Sequence, residues 1–171
     1  MVRRLSSIAW FALALAPISA NAQDAVGVGP ELVAPMQAAE MFKTVCVDTL
    51  PDFKKLPAVL SELGFVPAET GTFFNNTDDL SFKVQAHELG PLCTMVFGGD
   101  PVSDPFDVTI LLAAVALDAD KNEKSETGIE ILEDGVSVRA LLVDGSSFVA
   151  THFVHGEPPA IFYRAGLLAL N

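Results

Sequence analysis

The sequence predicts an α+β fold: a single domain with one antiparallel sheet of about five to seven strands, two or three helices packed on it, and one disulfide. Three observations carry that prediction. Leu80, Phe82, Val84 and Ala86 alternate strictly with Ser81, Lys83, Gln85 and His87, as in a strand with one face on a core and one in water. Ala38, Met41, Phe42, Val45 and Cys46 recur at helical spacing, with Gln37, Glu40, Thr44 and Asp48 on the opposite side. The chain holds 2 cysteines, Cys46 on that helical stripe and Cys93 sharing one strand face with Met95 and Phe97.

The first residues say where such a pair would reside. Arg3 and Arg4 precede an unbroken apolar run from Ile8 to Ala16, Pro17 interrupts it, and Ala20-Asn21-Ala22 offers a small-x-small cleavage site. This is the pattern of a secretory signal over residues 1–22, too short to act as a membrane span. The expected mature protein is periplasmic or secreted, without stable membrane insertion. In an oxidising compartment, two lone cysteines facing one core are expected to be bonded to each other.

Charge narrows the partners. The signal takes two basic residues and no acidic ones, leaving eight basic against 22 acidic, a net charge of −14. Such a chain is repelled by phosphate backbones and anionic lipid, which argues against nucleic acid and membrane surfaces. An unidentified protein or small molecule remains the expected partner.

Residues 23–35 hold two prolines and two glycines and read as an irregular leader; residues 36–171 form the domain. The Cys46 helix must stop before Pro51. Leu56, Val59, Leu60 and Leu63 make a second short helix from about Pro57 to Leu63, closed by Gly64. A three-strand meander follows over Thr72 to Asn75, Leu80 to His87 and Leu92 to Phe97, with turns at Asn75–Asp78 and at Gly90-Pro91. After a loop over Gly98 to Asp104, Asp104-Pro105 reads as an N-cap and first helical turn. Val108 to Leu117 is apolar nearly throughout; the β-branched Val108, Thr109 and Ile110 favour strand, but the cap and the alanines favour a deep helix. Strands are expected at Glu130 to Glu133, Val136 to Val143, Phe148 to Val154 and Ala160 to Leu168, with a hairpin turn at Asp144-Gly145. No fixed-period repeat is present, although helix followed by three strands occurs twice.

Candidate chemistry is sparse. Asp118, Asp120 and Asn122 occupy the first three ligand positions of a calcium loop, but Glu123 stands where glycine is demanded and Ile129 where glutamate is. His152 and His155 are spaced H-x-x-H within a strand pattern, where positions three apart fall on opposite faces, and His87 lies on a polar strand face. Ser146 and Ser147 sit at a hairpin corner without a nucleophile elbow, and Asp78-Asp79 and Glu133-Asp134 fall at turns. Gly98-Gly99-Asp100-Pro101 lacks the lysine of a phosphate loop. No catalytic set and no cofactor are expected.

Phe42-x-x-x-Cys46 and Cys93-x-Met95-x-Phe97 resemble short patches in small exported proteins of proteobacteria, uncharacterised in activity. The resemblance implies a one-bridge periplasmic protein. The sequence thus points to a non-catalytic exported binding or accessory protein. The alternative is a small periplasmic hydrolase or metal-dependent enzyme using His87, His152 or His155 with carboxylates. A third option, a carrier of apolar ligands, requires a cavity beneath Phe106 to Leu117.

Overall fold

The computed structural model describes residues 31–100, 102–118, 130–131, 138–141, 147–155 and 161–170. The signal, most of the leader, the calcium-like positions Asp120 and Asn122, and the Asp144-Gly145 turn lie outside the described residues. The chain is α+β, with helices α1 (Pro35–Phe42), α2 (Leu56–Glu62) and α3 (Pro105–Asp118) on one antiparallel sheet. Six strands are three residues or longer: β2 (Thr72–Phe74), β3 (Leu80–His87), β4 (Gly90–Gly99), β6 (Val138–Leu141), β7 (Ser147–His155) and β8 (Ile161–Ala169). Two-residue strands, β1 (Val66–Pro67) and β5 (Glu130–Ile131), close the two edges, and the order is β1-β2-β3-β4-β8-β7-β6-β5.

The helix expected around Cys46 changes character midway. After Phe42, Lys43–Val47 forms a π-turn, with the Asp48 N–H donating to the Lys43 carbonyl at 3.0 Å. Phe42, Val45 and Cys46 are all buried in the core, as their helical spacing requires. The element ends before Pro51, as the sequence requires, at a cis Leu50–Pro51 bond. Gly64 follows α2 with a φ of 83°, the left-handed cap position.

The turn expected at Gly90-Pro91 is displaced. His87 pairs with Gly90, so Glu88 and Leu89 make the turn and β4 already runs through Gly90 and Pro91. Proline is tolerated there because it precedes Leu92, where pairing with β8 begins, so its missing N–H breaks no bond on that side. At the other end β4 extends through Gly98 and Gly99, which read as loop in the sequence.

The helix chosen for Val108 to Leu117 is present. Asp104 caps it, accepting a hydrogen bond from the Phe106 N–H at 2.8 Å, and Pro105 opens the first turn. Its Val108, Leu112, Ala113 and Ala116 are buried. The Thr151 hydroxyl donates to the Thr109 carbonyl at 2.8 Å and ties α3 to β7. Below the helices, cross-strand rows of the sheet form the rest of the core: Val84, Cys93, Leu167 and Val149 in one, Phe82, Met95, Ala165 and Thr151 in the next. Phe97 stacks on Tyr163 with ring centroids 5.2 Å apart.

Cys46 and Cys93 are bonded, with Cα atoms 5.8 Å apart, so the π-turn is joined to the centre of the sheet. The helix-and-strands order does recur, with four strands in each half among the described residues. β4 and β8 lie antiparallel side by side at the centre, each the last strand of its half, which relates the halves by an approximate two-fold axis. Pro35 opens α1 as Pro105 opens α3, and the buried positions Ala38, Phe42 and Cys46 correspond to Val108, Leu112 and Ala116.

Candidate functional site

The two faces of the sheet differ. One is sealed by α1, the π-turn and α3. No described element covers the other, which forms a trough of about 640 Å³. Strand alternation places Ser81, Lys83 and Gln85 of β3, Leu92, Thr94 and Val96 of β4, Arg164 and Gly166 of β8 and Ala150 of β7 on this side. The trough continues towards the β3–β4 turn as an apolar cleft of about 160 Å³ lined by His87, Leu92, Ala150, Gly166 and Leu168. At the opposite end, beyond Ser81 and Val96, lies a separate hollow of about 410 Å³ beside Phe74, Asn75, Asp78, Asp79 and Phe162.

The register explains the shape. Thr94 lies opposite Lys83 on one side and Gly166 on the other, and Gly166 opposite Ala150. Small side chains along that row leave its middle low between the longer Lys83, Arg164, Leu92 and Val96. Lys83 is half-buried and Arg164 exposed. Among the described residues the one ion pair is Lys54 with Asp52, on the surface outside the trough. Neither Lys83 nor Arg164 is hydrogen-bonded through its side chain among the described residues.

The histidines are not gathered. His87 is exposed at the turn end, its Nδ1 accepting from the Leu89 N–H at 3.2 Å. His155 pairs with Ile161, which pairs with Gly99 at the far end of β4, while His87 pairs with Gly90 at its start. Nine residues of strand separate those ends, roughly 30 Å. His152 pairs with Arg164, two-thirds of the way along. Among the described residues no three His, Cys, Asp or Glu side chains converge as a metal site. Asp118 ends α3, and the other calcium-like positions lie outside the described residues.

At the turn before β3 the Asp78 carboxylate accepts from the Asn75 side-chain amide at 2.9 Å, a local bond of the kind turn acids usually make. Glu31 bridges to Asp78, its N–H donating to the Thr77 carbonyl at 2.8 Å and its carbonyl accepting from the Asp79 N–H at 2.9 Å, so the end of the leader docks beside this turn. The space under α3 needed by an apolar-ligand carrier is occupied by Phe97, Tyr163, Leu112 and their neighbours in the core.

Sequence reasoning placed Lys83 and Gln85 on a polar strand face but not Arg164. The signal was available: Arg164 sits in an otherwise apolar strand, flanked at alternate positions by Phe162 and Gly166, which marks a face that is not core. Among the described residues, no helix is long and apolar enough to cross a membrane. Comparison with protein families, with curated proteins and with solved structures finds no match.

Proposed function

We propose that the chain is an exported, non-catalytic binding or accessory protein that engages its ligand through the uncovered face of the sheet, in the periplasm or outside the cell. The observation that carries this reading is the asymmetry of the sheet. A half-apolar, half-polar sheet normally spreads its polar face flat to water. Here that face is a trough of the volume typical of ligand sites, floored by small residues and walled by long ones. The Cys46–Cys93 bond supports an oxidising compartment, and the signal-like start supports export.

The test is recovery of the protein from its native envelope fraction, with identification of what co-purifies. A molecule retained by the unaltered protein and lost from Thr94→Glu, which puts a carboxylate in the trough, supports the reading. Retention that ignores this substitution, in a variant with an unchanged circular dichroism spectrum, removes the sheet face from consideration. Running the same recovery with a reductant asks whether the bridge maintains the surface.

A further inference from the structure

We propose that the trough binds an amphipathic anion: a small molecule with a single carboxylate, phosphate or sulfate group and a compact apolar body. This rests on the reading of the uncovered face as the binding surface and adds the class of ligand.

Charge placement is the first support. Acidic residues outnumber basic ones 22 to 10 in this chain, yet the central trough is lined by Lys83 and Arg164 and by no carboxylate. Neither has a carboxylate partner among the described residues, and both stand on the same side of the sheet, so two positive charges share one face without a carboxylate in its lining. Lys83 stands opposite Thr94 and Arg164 opposite Val96, two strands across and two residues along from each other. Their Cα atoms are therefore roughly 12 Å apart, a gap two long, flexible side chains can close over one bound group. Ser81, Thr94 and Thr72 add hydroxyl donors around it.

The apolar half of the ligand follows from what lies beside the cations. The cleft lined by Leu92, Ala150, Gly166 and Leu168, with the exposed His87 at its turn end, shares three of those residues with the central trough, so an apolar body can run into it from the headgroup position. Asp78 and Asp79 stand at the other end and disfavour an anion there, which fixes the orientation. The rest of the molecule selects against polyanions, because a surface this negative repels a ligand carrying many charges more than one carrying a single charge.

The test is an NMR titration of the isotopically labelled full chain with octanoate below its aggregation threshold, with octanol and butyrate as probes lacking the charge or the chain. The expected result is saturable shifts of the Thr94, Gly166 and Ala150 amides by octanoate, with each comparison probe at least about tenfold weaker. Lys83→Gln and Arg164→Gln should each weaken octanoate by about tenfold and leave octanol unchanged, whereas Arg164→Lys should retain octanoate. Gly166→Val should weaken octanoate and octanol alike, since its Cβ meets only ordinary contacts and its bulk fills the trough. Spectra unchanged away from the trough show that each variant is folded. Equal binding of octanol and octanoate, indifference to both glutamine variants, tighter binding of an acidic peptide, or shifts confined to the helix side overturn the proposal. If octanoate fails while Thr94→Glu still releases a co-purifying molecule, the ligand class falls and the surface stands. If both fail, the surface falls too.

Discussion

Tyr163 and Gly99 show how much one missing methyl can matter. A Cβ at Gly99 would lie 2.1 Å from Tyr163 Cε2, inside a buried ring that Phe97 holds from one side. Gly99→Ala is expected to destabilise by about 1–3 kcal/mol in urea unfolding, through overpacking. The neighbouring Gly98→Ala meets the carboxylate of Asp79, which can rotate away, so its cost should stay under about 1 kcal/mol. Equal losses at the two sites would mean that the ring is not the obstacle. Burial, reinforced by the carboxylates of Asp104 and Asp100, pushes the Tyr163 phenol above its ordinary pKa of 10.0. Below that value both folded and unfolded chains hold the proton and stability is unaffected. Above it the unfolded chain ionises first, so stability falls as pH rises, and Tyr163→Phe should remove that fall. Tyr163 is the sole tyrosine, so its phenolate absorbance reports the titration directly. An ordinary phenol titration in the folded protein would contradict this account. Neither contact was legible in the sequence, because Gly99 and Tyr163 meet only through the β4–β8 pairing.

At the level of elements, the local signals were the readable ones. The Asp104 cap is a sequence motif with its bond in place, and Asp104→Ala should cost about 1 kcal/mol. A thermal midpoint unmoved by that change would show that α3 is held by its buried face alone. The strict alternation from Leu80 to His87 gave β3 its true ends, whereas the π-turn after Phe42 has no periodicity of its own to betray it. The bridge links two elements that each looked core-facing alone. Replacing both Cys46 and Cys93 by alanine should lower stability by about 4 kcal/mol in the chain-entropy model, given the separation of 47 residues. A double variant as stable as the original would place the stabilisation elsewhere.

For the whole molecule, the last described strand is one of the two central ones. β8 pairs with β4 along one side and β7 along the other, so it alone joins the two halves of the sheet. A chain ending at Pro159 should therefore lose its cooperative unfolding transition, leaving two long unpaired edges beside an exposed apolar face. A sharp transition in that truncated chain would show that the first half folds alone. Nothing in residues 161–169 distinguishes a central strand from an edge one: an apolar run tells that a strand is buried, not which strands flank it.

By itself the sequence determined what depends on neighbours along the chain. That includes the α+β class, the period of β3 and of α1, the stops at Pro51 and Gly64, the Asp104 cap, the acidic balance and the core-facing setting of both cysteines. Only the tertiary structure decided the strand order, the two-fold relation of the halves, and the placing of Lys83 and Arg164 on one face of the sheet beside Gly166. Periodicity and capping are set by bonds within a few residues, whereas strand order is set by which distant faces bury the most surface together. The uncovered face assembled from β3, β4, β7 and β8 exists only once that global choice has been made.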